Sequence, residues 1–315
     1  MTLGRPAAVL TFDGRALALD ESAAASVTVQ LTTTGAHDRA HIVLSPLSPV
    51  LDVAAGAAVD VALGLGDETV AVLSGTVVQV SHRPWGTSVE VAAATSALDT
   101  VRVGRAYVGR TIADIVTDLA SAAGVTAGEI DASATLAVFH VDESRTAWRH
   151  VRNLATLSGA ELTSGGHGEI NLRPQRTGSA DHTLRGGAEL MDWAVGPRPE
   201  RPEATPIGPF SAASEQGTDA WSLVHHDPGG GGFRLVSATL RDRDVAQSIE
   251  SAAAAARRRA TRRGRLTIIG DARIRAGHLV EVDGVDRAAA TYRVVAARHE
   301  IDADGFRSIL WTEAA

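Results

Sequence analysis

At 315 residues, with 44% hydrophobic and 21% charged residues, the chain is long enough for two or three domains with substantial cores. It has no cysteine, which excludes a disulfide scaffold, a thiolate nucleophile and Cys-ligated metal; all 30 basic residues are arginine, which removes the lysine of a Walker-type phosphate loop. A net charge of −7 argues against a general nucleic-acid binder, and no apolar run approaches the roughly 20 residues of a membrane span.

Residues 7–103 read as β-structure. Val27, Val29 and Leu31 alternate with polar neighbours, as do Val59, Val61 and Leu63, then Val70 and Val72, then Val89 and Val91. Period two marks strands with one buried face. Gly56, Gly64, Gly66, Gly75 and Gly86 punctuate these runs where turns or bulges fall. A meander closing into a small barrel or sandwich is expected over 1–104. The N-terminus lacks the basic head, apolar core and cleavage site of a secretory signal, so a cytoplasmically made, soluble protein is expected.

The period then changes. Thr111 followed by Asp114 resembles a capping box, and Ile112, Ile115, Val116 and Leu119 follow helical spacing up to a stop at Gly124. A second helix is expected after Ser144, the presumed cap, with Trp148, Val151, Leu154 and Ala155 as its apolar stripe and Gly159 as its end. Glu161–Thr163 and Ile170–Leu172 around a Gly-rich turn predict a hairpin. Residues 105–175 thus read as a compact α–α–β–β unit within an insert spanning 105–196.

From 197 to 209 five prolines predict an extended connection, and Gly229–Gly232 a loose tip or linker. A helix over roughly 243–262 is followed by strands at Leu266–Ile269, His278–Val282, Tyr292–His299 and Phe306–Thr312. Within this last region Ala276-Gly277-His278-Leu279-Val280-Glu281-Val282 echoes Ala55-Gly56-Ala57-Ala58-Val59-Asp60-Val61. One kind of β-unit is therefore used twice around the insert. The fold class expected is α+β and β-rich, with one β-unit at 1–104 and a second within 197–315, after the extended connection and the helix.

Few side chains suggest chemistry. His225-His226-Asp227 offers metal-ligand types, but adjacent residues rarely share one ion and no H-x-x-x-H accompanies them. His140, Asp142, Ser144 and His150 contain the members of a triad, yet no strand–G-x-S-x-G–helix elbow surrounds any serine. The carboxylates fall in no glycosidase-like frame. No catalytic, cofactor or metal residue is assigned. The concentrated charge is Arg257, Arg258, Arg259, Arg262 and Arg263, with Arg265 beyond. It reads as a solvated helix end, or as an interface for an acidic protein partner. The separated Trp85, Trp148, Trp193, Trp221 and Trp311 suit core or interface packing.

A family resemblance runs through the chain in collinear order. It is carried by Leu73-Ser74-Gly75-Thr76-Val77-Val78, Ala97-Leu98, Arg105-Ala106-Tyr107 and Gly109-Arg110-Thr111-Ile112-Ala113-Asp114-Ile115-Val116. It continues through Asp142-Glu143-Ser144, Trp148, Asn153-Leu154-Ala155, Ser158-Gly159-Ala160, Gly168-Glu169-Ile170-Asn171-Leu172, Gly270, Ala276-Gly277, Tyr292-Arg293-Val294, His299 and Gly305-Phe306. Together these resemble the late control protein D family of phage tails and the related baseplate hubs of contractile injection systems. The match is weakest over 1–50 and 195–240.

The resemblance implies a non-enzymatic homotrimer in which each chain carries two tube-like β-barrel domains, at 1–104 and 197–315, flanking a small α/β insert at 105–196, and the six domains adapt a six-fold tail tube to a three-fold spike. Its implied partners are the tube protein above, a separate spike protein below and other baseplate proteins, with no cofactor, nucleic acid or membrane insertion. The particle would be assembled in the bacterial cytoplasm. Type VI spike proteins continue into an oligosaccharide-binding-type domain and needle, whereas this chain stops at Ala315. Alternatives are a peptidoglycan-type hydrolase of the tail, or the hub of a non-contractile tail.

Overall fold

The structure is a computed structural model and describes residues 4–33, 35–197, 251–252, 254–256 and 258–315. The proline-rich stretch after Pro197, the His225-His226-Asp227 triplet, the Gly229–Gly232 run and Arg257 lie outside the described residues.

Alternating apolar residues build the first β-unit from β1 (Pro6–Phe12), β2 (Arg15–Ala18), β3 (Ala24–Thr32), β4 (Arg39–Leu44), β5 (Ala58–Leu65), β6 (Glu68–Arg83) and β7 (Gly86–Ala93). Val27, Val29, Leu31, Val59, Val61, Leu63, Val89 and Val91 all point into one core and are at most 1% exposed. Each such valine or leucine contributes on the order of 1.5–3 kcal/mol by leaving water. The strands pair antiparallel in the spatial order β3-β4-β7-β6-β5-β1-β2.

The insert contains β8 (Arg105–Thr111), α1 (Ile112–Ala122), β9 (Ala127–Ile130), β10 (Thr135–Val141), α2 (Ala147–Ser158), β11 (Glu161–Ser164) and β12 (Ile170–Arg173). Thr111 and Asp114 close the expected capping box on α1. The α2 cap is Thr146 rather than Ser144, its hydroxyl accepting the Arg149 N–H. Gly159 ends α2 at a left-handed φ of 64°. The hairpin β11–β12 forms as expected, but the insert holds more strand than α–α–β–β: β9 joins β12 in parallel and β8 pairs with β10. Arg105–Thr111 has no buried face, so alternation carried no signal there. The insert packs around its own core of Ile112, Ile115, Leu119, Val151, Leu154, Ile170 and Leu172.

The second β-unit comprises β13 (His182–Arg185), β14 (Leu190–Pro197), β15 (Arg262–Ile269), β16 (Leu279–Asp283), β17 (Ala290–Asp302) and β18 (Gly305–Ala314). The described residues of 251–260 are helical, and strand begins at Arg262 rather than within a helix running to 262. β13 and β14, inside the 105–196 span, hydrogen-bond to β16 and β15 instead of to the insert.

The spatial order β14-β15-β18-β17-β16 repeats β3-β4-β7-β6-β5, with strands following in the same chain order. The echoed heptapeptides lie at matching places. Val59, Val61, Val280 and Val282 are buried, while Asp60 and Glu281 face solvent. Both long strands carry a bulge at the same point, between Val77 and Gln79 on β6 and between Val294 and Ala296 on β17. β17 also pairs with β3, so both units share one 13-stranded sheet. Among the described residues this sheet is open at its ends rather than divided into two closed barrels.

Candidate functional site

The residues that could make a triad do gather, but in the wrong order for catalysis. Ser144 donates its hydroxyl to Asp142 Oδ1, and Asp142 Oδ1 also accepts the Ser144 N–H at 3.0 Å. His150 Nε2 lies 3.1 Å from the Asp142 backbone carbonyl oxygen, and His140 Nδ1 lies 3.3 Å from that of Arg105. The carboxylate thus sits between serine and histidine, and no base contacts the hydroxyl. This is a turn leading into α2. Among the described residues no group of three His, Asp or Glu side chains could hold a metal ion.

The charged chemistry that is built lies at the junction of the insert with both β-units. Arg293 on β17 is 4% exposed and contacts Glu161 on β11. It also meets Glu313 on β18 at 2.5 Å and the Thr33 hydroxyl at 3.4 Å. Arg259 reaches the same Glu313 at 3.4 Å. Arg275, in the loop between β15 and β16, donates to the Val72 carbonyl at 3.1 Å and to the Ser164 carbonyl at 3.1 Å. It therefore ties the second unit to β6 and to the insert at once. Burial beside this guanidinium pushes Asp38 up to about 7, although the Thr32 N–H and Arg275 pull it down. A stacked pair, His182 and His278, closes the neighbouring surface with ring nitrogens 3.1 Å apart. Desolvation pushes His278 down to about 4.

The arginine cluster divides. Arg259 turns inward to Glu313 and is 13% exposed, so its charge is used within the fold. Arg262 lies over the Tyr292 ring, 5.3 Å from its centre. Arg258 and Arg263 are exposed. Arg263 joins Arg39, Arg265 and Trp311 around a trough of about 800 Å³ on the solvent face of β3, β17, β18 and β15. Sequence reasoning missed Arg275 and Arg293. The one available signal for Arg293 was a charge set between apolar Tyr292 and Val294.

No protein-family model and no curated protein matches the chain. Solved structures do. A tail protein from Neisseria meningitidis MC58 superposes with a TM-score of 0.76 at 12% identity, over 98% of this chain and 96% of that one. The 43 kDa tail protein of prophage MuSo2 from Shewanella oneidensis gives 0.71 at 12% identity, over 98% of both chains. An Escherichia coli protein described as a component of the type VI secretion system gives 0.64 at 10% identity, over 97% of this chain and 76% of that one. The chain has the fold of these phage-tail proteins and of this type VI component.

Proposed function

We propose that the chain is the structural baseplate hub of a contractile phage tail or phage-like injection system. In this reading three copies adapt a six-fold tail tube to a three-fold spike. The observation that carries it is the duplicated strand path, β3-β4-β7-β6-β5 and β14-β15-β18-β17-β16. Three copies then supply six similar β-units, which is what a three-fold object needs to match a six-fold one. The likeness to tail proteins over almost the whole chain supports the same setting.

Residues 1–104 and 197–315 are here the two tube-type units, with β13 and β14 lending their strands to the second, and 105–196 supplies the insert. The insert and the junction at Arg275 and Arg293 serve to hold the units at a fixed angle, not to carry out a reaction. Exposed Arg258 and Arg263 are the members of the arginine cluster free to meet an acidic baseplate partner, while Arg259 is engaged inside. Replacing Arg258 and Arg263 with Glu leaves the trimer intact and blocks incorporation into particles. Native mass spectrometry of the purified chain tests the reading: a species of three copies is expected, and a monomer that persists with tube and spike proteins present refutes it.

A further inference from the structure

The chain contains three Asp-Gly pairs, Asp13-Gly14, Asp283-Gly284 and Asp304-Gly305, and each lies where one strand turns into the next. The chemistry open to such a pair is attack of the glycine nitrogen on the aspartate's side-chain carboxyl carbon, with no Cβ on the glycine to hinder the approach. Where each carboxylate is held decides between the three.

Asp13 is held by a different strand. Its Oδ1 accepts the Ala58 N–H on β5 at 2.8 Å, and its own N–H donates to the Ala58 carbonyl at 2.9 Å. Asp304 faces Arg307, whose Nη1 lies 3.9 Å from its Oδ2, and Gly305 stands opposite Asp302 in the β17–β18 ladder. Asp283 differs from both. Its Oδ1 accepts the N–H of Gly284 itself, at 2.7 Å. Oδ1 is bonded to Cγ, so the nucleophilic nitrogen already rests against the carboxyl group it would attack. Such preset contact is where reaction within one molecule gains most. Asp20 makes a like contact with the Glu21 N–H at 3.0 Å, but there the next residue carries a side chain. Among the described residues Asp283 alone joins this contact to a following glycine. Both residues of the pair are exposed, and Gly284 has a φ of 72°, a left-handed conformation that glycine adopts without strain.

We propose that Asp283-Gly284 is a site of spontaneous isoaspartate formation, and that its product loosens β13 from β16. Gly284 N bonds to Asp283 Cγ, while the proton it carried and the carboxyl hydroxyl leave together as water, closing a five-membered succinimide. Water then opens the ring. Entry at Cγ restores aspartate. Entry at the main-chain carbonyl carbon gives isoaspartate, in which the chain runs through Cβ and Cγ and the former main-chain carbonyl becomes a free carboxylate. One water is lost and one regained, so no other reactant is needed.

The turn after Asp283 is fitted closely enough to feel the change. The Asp283 carbonyl accepts the Gly186 N–H at 2.9 Å, at the end of the parallel ladder in which Arg185 faces Asp283. Beyond it the chain lies so tightly on Gly186 that a Cβ there would come within 2.4 Å of Val285 Cγ2. One more backbone carbon between residues 283 and 284 moves Val285 off that seat. β13 is a strand of only 4 residues, so it has few other bonds to hold it in place. The step involves one chain and water, whatever assembly the chain enters.

Peptide mapping by mass spectrometry tests the assignment on the full chain, aged for weeks at physiological temperature in mildly acidic buffer made with heavy-oxygen water. Residue 283 should gain isoaspartate carrying one solvent oxygen, at least about tenfold faster than residues 13 and 304. In urea, where the turns are lost, the three pairs should react at similar rates. Comparable rates at the three sites in the folded chain, or a slower rate at 283 in the folded chain than in urea, overturn the assignment. Hydrogen exchange should quicken over 182–186 in the aged chain but not in aged Asp283→Glu, whose longer side chain would have to close a six-membered ring. Equal protection in fresh and aged chains, or quickening in aged Asp283→Glu as well, overturns the loosening of β13.

Discussion

Gly56 and Gly277 occupy the same place in the two β-units. Their φ angles are 89° and 93°, a left-handed conformation that side chains with a Cβ rarely adopt. Each donates its N–H to the valine just before a bulge in the neighbouring long strand. Their surroundings differ in one respect. A Cβ on Gly56 would meet nothing within 4 Å, whereas on Gly277 it would lie 3.1 Å from Glu161 Oε2.

Gly56→Ala should therefore cost about 1–2 kcal/mol from backbone strain alone. Gly277→Ala should cost more, because it also crowds the carboxylate that Arg293 holds. Urea unfolding of both variants checks the ranking, and equal costs would remove the role given to Glu161 at the second site.

Replacing Arg293 with Met should destabilise the chain by about 3–5 kcal/mol, since it leaves Glu161 and Glu313 buried without their shared cation. Adding Glu161→Gln to that variant should recover part of the loss. Denaturant midpoints of the single and double variants measure this, and additive losses would show that the two residues do not interact.

Arg275→Lys keeps the charge but cannot reach the Val72 and Ser164 carbonyls together, because an ammonium lacks the guanidinium's fork. A loss of about 2–3 kcal/mol is expected, on the scale of one or two unmet buried acceptors. Hydrogen exchange should show the insert and β6 loosening together, while a loss confined to 270–278 would contradict the bridging role.

The His299 imidazole, pushed down to about 4 by burial, stays neutral in the fold while its unfolded counterpart gains a proton below about 6.5. The His299 contribution to stability is thus complete above about pH 6.5 and is lost as the pH drops toward 4. Asp38 works the other way: with a folded value near 7 its contribution is present at low pH and is lost as pH rises through 7. His299→Gln should flatten the acid decline, and Asp38→Asn should gain stability at pH 8 relative to pH 5. Urea midpoints between pH 4.5 and 8 read both slopes.

The parts of the fold legible in sequence were those set by local patterns. Val59 and Val61, the Thr111–Asp114 box and the left-handed stop at Gly159 all announce their elements through nearest neighbours. The echo of residues 55–61 at 276–282 marks the repeat within the sequence itself. What stayed hidden depends on contacts between distant residues. The β17–β3 ladder joins positions more than 260 residues apart, and β13 enters the sheet in parallel from a four-residue strand. Arg259 and Arg263 look alike in sequence, yet one faces Glu313 and the other solvent. Only the turn at Thr261 and the start of β15 separate their fates.

The central claim is that three chains present six equivalent β-units in one ring. Electron cryo-microscopy of the purified assembly, reconstructed without imposed symmetry, tests it most directly. The expected map is a closed three-fold ring in which first and second units alternate. A ring of six chains, or three chains whose β-units do not alternate around a common axis, would contradict it.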